Sequence, residues 1–412
     1  MTQPAGALAG LRVFDLSRIL AGPSATQVLG DLGAEVIKIE RPLEGDDTRR
    51  WGPPFLQGSD GQPMAESAYY AAANRNKRSV AIDIASAEGQ ALALELIAHC
   101  DVLVENFKVG GLKRYGLDYP SLRVRFPRLV YCSITGYGQT GPYAARAGYD
   151  YLAQGQGGIM SLTGEPDGQP MKVGVAVADL MCGMYAATAI LAALRHRDRK
   201  GEGQQIDLSL FDTQIAWLAN QGSSYLVSGE VPPRLGNEHP SIVPYRVFAT
   251  ADGFIILAVG NDAQFRKWCA VAGATELAQD PRFVTNPARV AHRQELHALM
   301  EPLMRERQTE AWIAELEQVG VPSGPVNTLD RVFADPQVEA RGMRVAIPQG
   351  NVAGGVVPVI ASPIKMSATP PAYRCPPPTL GQDTRAVLQE LLGLEASVIE
   401  GLRARGVVGV SD

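Results

Sequence analysis

Apolar residues along the chain fall into short runs separated by helical stripes. Residues 11–15 (Leu-Arg-Val-Phe-Asp) and 35–39 (Glu-Val-Ile-Lys-Ile) predict strands. Residues 25–32, between the breaker Gly22-Pro23-Ser24 and Gly33, predict the helix joining them. The rhythm continues with a helical period over 86–99 and strand-like runs at 101–104 and 129–134. Alternating units of this kind predict the α/β class, a mostly parallel sheet with helices on both faces. Residues 148–174, rich in Gly, Gln, Ser and Thr, predict loop with short ordered stretches. An Ala-, Leu- and Met-rich helix is expected over 179–199. Its basic end (Arg195, His196, Arg197, Arg199, Lys200) complements the helix dipole before Gly201 stops it. A strand at 206–210 and a helix at 211–226 follow.

Past residue 225 the texture changes. Residues 229–244 are rich in Pro and Gly, alternating strands bracket the turn signal Asp252-Gly253, and several short helices are expected between 263 and 318. This predicts a second, smaller domain. Residues 348–378 read as Pro-rich extended chain, and 380–406 return to helix, packing back on the first domain.

Composition narrows the function classes. At 412 residues, two domains are expected. Lys plus Arg number 38 and Asp plus Glu 43, a net charge of −5 that argues against a general nucleic-acid binder. A polyanionic ligand must then be met by a local group of cations and backbone N–H groups. Five scattered cysteines (Cys100, Cys132, Cys182, Cys269, Cys375) contain no C-x-x-C pair, and no His stands at metal spacing. The expectation is chemistry without metal or disulfide. Residues 1–10 lack the basic and apolar regions of a signal peptide, and no apolar run approaches the roughly 18 residues of a membrane span. The chain therefore reads as cytoplasmic, with no membrane partner.

Three features bear on chemistry. Gly136-Tyr-Gly138-Gln-Thr-Gly141 matches the dinucleotide fingerprint after a strand, but Pro142 follows where a helix should open, so a tight surface turn is the better reading and a dehydrogenase the weaker one. Asp179 stands at the start of the Ala-rich helix behind an apolar run. On the residues alone it is either a helix cap or a carboxylate nucleophile, ionised at neutral pH without help from a base. Arg41, Asn106, Phe107 and Arg114 follow the C-terminal ends of expected strands, where parallel sheets bind ligands.

An ordered set of motifs then resembles one family. Residues 11–23 (LRVFDLSRILAGP), 35–41 (EVIKIER), 74–79 (NRNKRS), 104–107 (VENF) and 174–179 (GVAVAD) are similar to the class III CoA-transferases, the CaiB/BaiF type that includes formyl-CoA transferases. Residues 51–55, 131–142, 146–150 and 241–245 look most like the branch using succinyl-CoA and glutarate. The resemblance implies a Rossmann-like CoA-binding domain from residues 1–200 and 378–412, a linker at 201–224, a small domain at 225–328 and a Pro-rich linker at 329–377. It also implies an interlocked homodimer and acyl-CoA as substrate, with no permanently bound cofactor. Asp179 falls at the family's catalytic aspartate. CoA contacts fall at Arg41, Asn106, Phe107 and Arg114, with backbone contacts near Ile19, Leu20 and Ala21 and over 82–85 beginning at Ile82. Leu20 replaces a Gln that the formyl-CoA branch uses.

The implied activity moves CoA from succinyl-CoA to a dicarboxylate such as glutarate through an aspartyl anhydride and an aspartyl-CoA thioester; a carnitine-type transferase is an alternative. An α-methylacyl-CoA racemase, the other alternative, needs a His where this chain has Tyr149, a poor base at neutral pH. Arg18, then Arg146 and Arg246, are candidates for a distal carboxylate. Tyr149 and His239 are further substrate candidates. Residues 154–158 and 236–240 are candidates for covering the site.

Overall fold

The computed structural model describes residues 6–411; Met1 to Ala5, the start of the expected first domain and of the leader reading, and Asp412 lie outside the described residues. The chain divides into two compact units. The larger takes residues up to Ile159, then Val173–Ser223 and everything from Gln337. The smaller takes Met160–Lys172 and Ser224–Pro336.

The larger unit is built on seven strands: β1 (Arg12–Asp15), β2 (Glu35–Glu40), β3 (Lys77–Ile82), β4 (Val102–Glu105), β5 (Val130–Thr135), β6 (Gln205–Ser209) and β7 (Val408–Gly409). Their order is β7-β3-β2-β1-β4-β5-β6, parallel throughout except for β7, which pairs antiparallel with β3. The two-residue alternation sorts side chains between two cores. Phe14, Ile37 and Leu103 face a core shared with helix Ala87–Ile97 and the two C-terminal helices Thr384–Leu392 and Ala396–Ala404. Val13, Val36, Val102 and Val130 face another, shared with α1 (Ala21–Asp31) and the long helix Val177–Lys200.

The long helix lies against α1 because Gly183 has no side chain. A Cβ there would stand 2.7 Å from the Ala21 carbonyl oxygen and 3.2 Å from Ser24 Cβ. By length and composition this helix would also pass for a membrane span, which the run-based reading misses because Asp179 interrupts the apolar stretch. Ten of its residues, from Ala178 to Arg197, are buried within the protein.

Several boundaries differ from expectation. Gly22 and Pro23 lie inside the first turn of α1, where a missing proline N–H costs nothing, instead of before it. The expected helix at 211–226 is two helices, Leu210–Ala216 and Ala219–Ser228, interrupted where Ala219 takes φ +46°. Residues 201–224, expected as a linker, contribute β6 to the sheet. Residues 329–377, expected as Pro-rich linker, hold an antiparallel hairpin, Arg344–Pro348 with Val356–Ile360, over a small core of Ile347, Val352, Val357 and Val359. Prolines sit comfortably in a two-stranded ribbon, where each strand has an edge without partners, so their density concealed the hairpin.

The smaller unit carries a three-stranded antiparallel sheet, Ser323–Pro325, Phe254–Ala258 and Tyr245–Ala249, with the turn at Asp252-Gly253 where the sequence puts it. Helices pack on it around Phe248, Ile255, Leu257, Trp268, Met300 and Trp312.

Replacing Gly183 with Val forces a branched side chain into the Ala21 backbone. Urea unfolding should show a loss of about 2–3 kcal/mol, whereas Ala187→Val, one turn on, should cost less.

Candidate active site

The loops leaving the C-terminal ends of β1, β2, β4 and β5 converge on one end of the larger sheet. Beneath the loop after β1 lie four fully buried charged side chains. Asp15 accepts from Lys77 Nζ (3.1 Å) and Thr26 Oγ1 (2.6 Å), and Lys38 Nζ donates to Asp46 (2.8 Å) and to the Ser17 carbonyl (3.1 Å). Burial alone raises a carboxyl, but Lys38 and the Thr48 hydrogen bonds outweigh it and hold Asp46 at about 2. Burial pulls Lys77 down to about 8 against the pull of Asp15. Asp46 also accepts the backbone N–H of Ile19 at 3.2 Å. Ile19 takes φ +71°, a left-handed conformation that a β-branched residue adopts only when held. The loop that leads into Leu20 and Ala21, at the start of α1, is thus fixed from below.

Asn106 fixes it from the side. Its side-chain amide accepts from Arg18 N–H (3.0 Å) and donates to the Arg18 carbonyl (2.7 Å), so this amide is engaged with the loop. Phe107 is held by its own N–H, which donates to Glu105 at 2.8 Å; burial raises Glu105 to about 7. Arg41 is exposed and paired with Glu44 (3.0 Å). Arg114 is exposed and lies 4.5 Å from the Tyr115 ring centroid. Ile82 is buried at the end of β3, opposite Val408.

Asp179 sits in the first turn of the long helix, one turn before the Gly183 contact with Ala21. It does not cap that helix. Ala176 stands at the cap position without a side-chain bond, and the job is done from another element. Asp150, the first residue of helix Asp150–Gln156, accepts Ala178 N–H at 2.8 Å and Asp179 N–H at 3.3 Å through Oδ1. Its Oδ2 accepts from Gln154 Nε2 (2.7 Å), and Gln154 Oε1 accepts Val173 N–H (2.8 Å). The Asp179 carboxylate itself makes no hydrogen bond among the described residues and is 9% exposed. Burial first, and the Asp150 charge second, push it up to about 7. Desolvation thus opposes the ionisation at neutral pH that the sequence leads one to expect of an ordinary carboxyl.

Two neighbours of Asp179 carry no distinguishing signal in the sequence. Tyr69, edge-on to Trp51 with centroids 5.4 Å apart, is pushed up to about 12 by burial and by the Asp179 and Asp150 carboxylates. Cys182 is likewise raised to about 12, mainly by burial. Asp150 appears in the sequence only beside Tyr149; its capping of a helix 27 residues on is a tertiary contact that no local pattern announces.

Of the basic candidates, Arg18 is paired with Asp47 (2.8 Å), and Arg246, in the smaller unit, with Glu238 (3.0 Å). Arg146 stacks 3.8 Å from the Tyr143 ring centroid and has no carboxylate partner among the described residues. Tyr149 is 62% exposed. In the smaller unit, His239 Nδ1 accepts Ser241 N–H at 3.1 Å, which sets the proton on Nε2. Arg293 holds the same loop by donating to the carbonyls of Pro240 (2.6 Å) and His239 (3.3 Å). The Gly136–Gly141 segment is a turn, with helix delayed to Asp150, and it is pinched at its base: a Cβ on Gly148 would lie 2.3 Å from Gly136 Cα.

A parallel sheet with an unpaired buried carboxylate at its ligand-binding end fits a carrier of acyl groups, and comparison with known proteins gives the class. The family CoA-transferase family III matches residues 8–384, and the chain belongs to it; it is a CoA-transferase. It is 54% identical over 388 residues to a succinate–glutarate CoA-transferase of Agrobacterium fabrum, covering 94% of this chain and 96% of that one. It is 43% identical to a succinyl-CoA:glutarate CoA-transferase of Mus musculus, covering 97% and 90%. The crystal structure of a CaiB/BaiF family protein from Brucella suis matches with TM-score 0.84 and 51% identity over 94% of this chain and all of that one.

The Asp179 value has a consequence for stability. Because the folded group titrates near 7 and the ordinary carboxyl at 3.8, folding favours the protonated form. The stability it contributes is present below about pH 4 and lost as pH rises through 7. Asp179→Asn should therefore melt higher than wild type at pH 8, by a few degrees, with the gap closing toward pH 4 in calorimetry.

Proposed function

We propose that the protein transfers CoA from succinyl-CoA to a dicarboxylate of glutarate size, with Asp179 as the carboxylate that carries the acyl group. The observation that supports this most is Asp179 itself: buried, free of hydrogen bonds on its carboxylate, and fixed in the first turn of a helix whose cap is supplied from elsewhere. The substrate pair follows the names of the relatives at 54% and 43% identity.

In this reading the ionised Asp179 attacks the thioester carbonyl of the donor. The C–S bond breaks, CoA leaves as thiolate, and an aspartyl–succinyl anhydride remains. The thiolate then attacks the Asp179 carbonyl, forming an aspartyl-CoA thioester and releasing succinate. The acceptor carboxylate attacks that thioester, giving a second anhydride and the thiolate again. Attack of the thiolate on the acceptor's carbonyl yields the new acyl-CoA and restores Asp179. The energy of one thioester is kept throughout, and the dry surroundings of Asp179 slow the hydrolysis that would dissipate it.

CoA lies, in this proposal, along the ends of β1 to β4, against the backbone of Ile19, Leu20 and Ala21 and residues 82–85, with Phe107 beside the adenine and Arg41 and Arg114 at the phosphates. Arg41 exchanges its exposed partner Glu44 at little cost, since such surface pairs are worth under about 1 kcal/mol. Asn106 acts through Arg18, by keeping the loop in place. Arg146, which has no carboxylate partner among the described residues, is the cation for the distal carboxylate.

Incubation with succinyl-CoA and digestion should give acyl or CoA mass on the peptide containing Asp179, and Asp179→Ala should remove both the label and turnover. Undiminished turnover in that variant would refute the reading. For the acceptor, Arg146→Met should raise KM for dicarboxylates roughly tenfold or more and leave monocarboxylates almost unchanged; equal effects on both would exclude Arg146.

A further inference from the structure

The first turn of an α-helix exposes N–H groups that want an acceptor, and a helix that carries a reactive group there needs that turn held still. Most helices solve this with the preceding residue. The helix Val177–Lys200 has Ala176 in that place and borrows an acceptor from Asp150, 27 residues upstream of its start. One carboxylate oxygen of Asp150 takes the N–H groups of Ala178 and Asp179; the other is fixed by Gln154, which also fastens Val173. The chain entering the helix is thus tied at Val173, Ala178 and Asp179 to a single short helix.

We infer that Asp150 is a positioning residue for the transfer reaction: through the backbone of Ala178 and Asp179 it sets the direction of the Asp179 carboxylate, and it places a second carboxylate beside it. The inference rests on the reading of Asp179 as the acyl carrier. The charge part has a clear source. The groups around Asp179 are Asp150 from the short helix, Tyr69 from helix Ala68–Ala73 and Cys182 from its own helix. Tyr69 and Cys182 both titrate near 12 and are neutral at physiological pH, which leaves Asp150 as the charged neighbour acting on Asp179. Among the described residues no cation acts on Asp179 to offset it. A like charge beside a carboxylate weakens its ionisation.

The two contributions are separated by two variants. In Asp150→Asn a side-chain oxygen remains to take the N–H groups but the charge is gone; in Asp150→Ala both are lost. The pH profile of kcat/KM, measured on the full-length enzyme with succinyl-CoA and glutarate, should show its acid limb about one unit lower in both variants. The high-pH plateau of kcat should be near wild type in Asp150→Asn and at least tenfold lower in Asp150→Ala, with KM little changed. An acid limb that stays put in both variants, or an Asp150→Ala plateau equal to wild type, overturns the inference. Asp179→Asn is run alongside. If it still turns over, the acyl-carrier reading has failed; if it is inactive while the Asp150 variants behave as wild type, the role of Asp150 alone has failed.

Discussion

Two lysines and two aspartates with no exposed side chain, Asp15 ending β1, Lys38 within β2, Lys77 opening β3 and Asp46 in the loop after β2, lie together, and the loop after β1 is arranged around them. Charges removed from water are tolerated only with close partners and satisfied hydrogen bonds. Here Asp15 is met by Lys77 and Thr26, and Asp46 by Lys38, Thr48 and the Ile19 backbone. The remaining lone pairs and protons are spent on the loop itself. A buried ion cluster of this sort is a poor source of net stability, but displacing the loop would leave a buried charge unpaired, which costs several kcal/mol, of the order of 3–5. That is the constraint under which Ile19 keeps a conformation it would otherwise leave, and under which Leu20 and Ala21 start α1 in one place.

From α1 the order passes to Asp179 by contact. Gly183 lets the long helix rest on the Ala21 carbonyl, so the distance between the two helix starts is set by backbone rather than by flexible side chains. Asp150 then fixes the helix end. The result is a carboxyl in an environment that disfavours its own charge, a local cost carried by the surrounding packing, as reactive groups commonly require. The same desolvation that raises Asp179 strengthens any electrostatic interaction formed at it.

Much of this architecture is legible in the residues. The valine- and isoleucine-rich runs at 12–15, 35–40, 102–105 and 130–135 announce buried parallel strands, and Asp179 and Gly201 mark the long helix to within two residues. Lys77–Ile82 escapes notice because Lys77, Arg78 and Ser79 are polar, yet Lys77 and Ser79 are buried among charges that make the run a central strand. The hairpin at 344–360 hides behind prolines that an edge can hold. The candidate site divides in the same way. Asp179 is visible because a helix start behind an apolar run is a local pattern, whereas Tyr69 and the cap by Asp150 depend on elements far apart in sequence meeting in space. The amide of Asn106 is likewise visible as a polar group at a strand end, and its engagement with Arg18 is not.

The pinch at Gly136 and Gly148 gives the loop between β5 and the next helix a narrow neck, backbone against backbone. The segment distal to that neck is tied further, by the Tyr137 hydroxyl to Gln156 at the end of the helix that Asp150 begins and by the Gln139 N–H to Asp207 of β6. The segment carrying Arg146 and the short helix that caps the Asp179 helix are thereby joined twice, at the glycine neck and through the Tyr137 hydroxyl, so a change of length in the first is felt in the second.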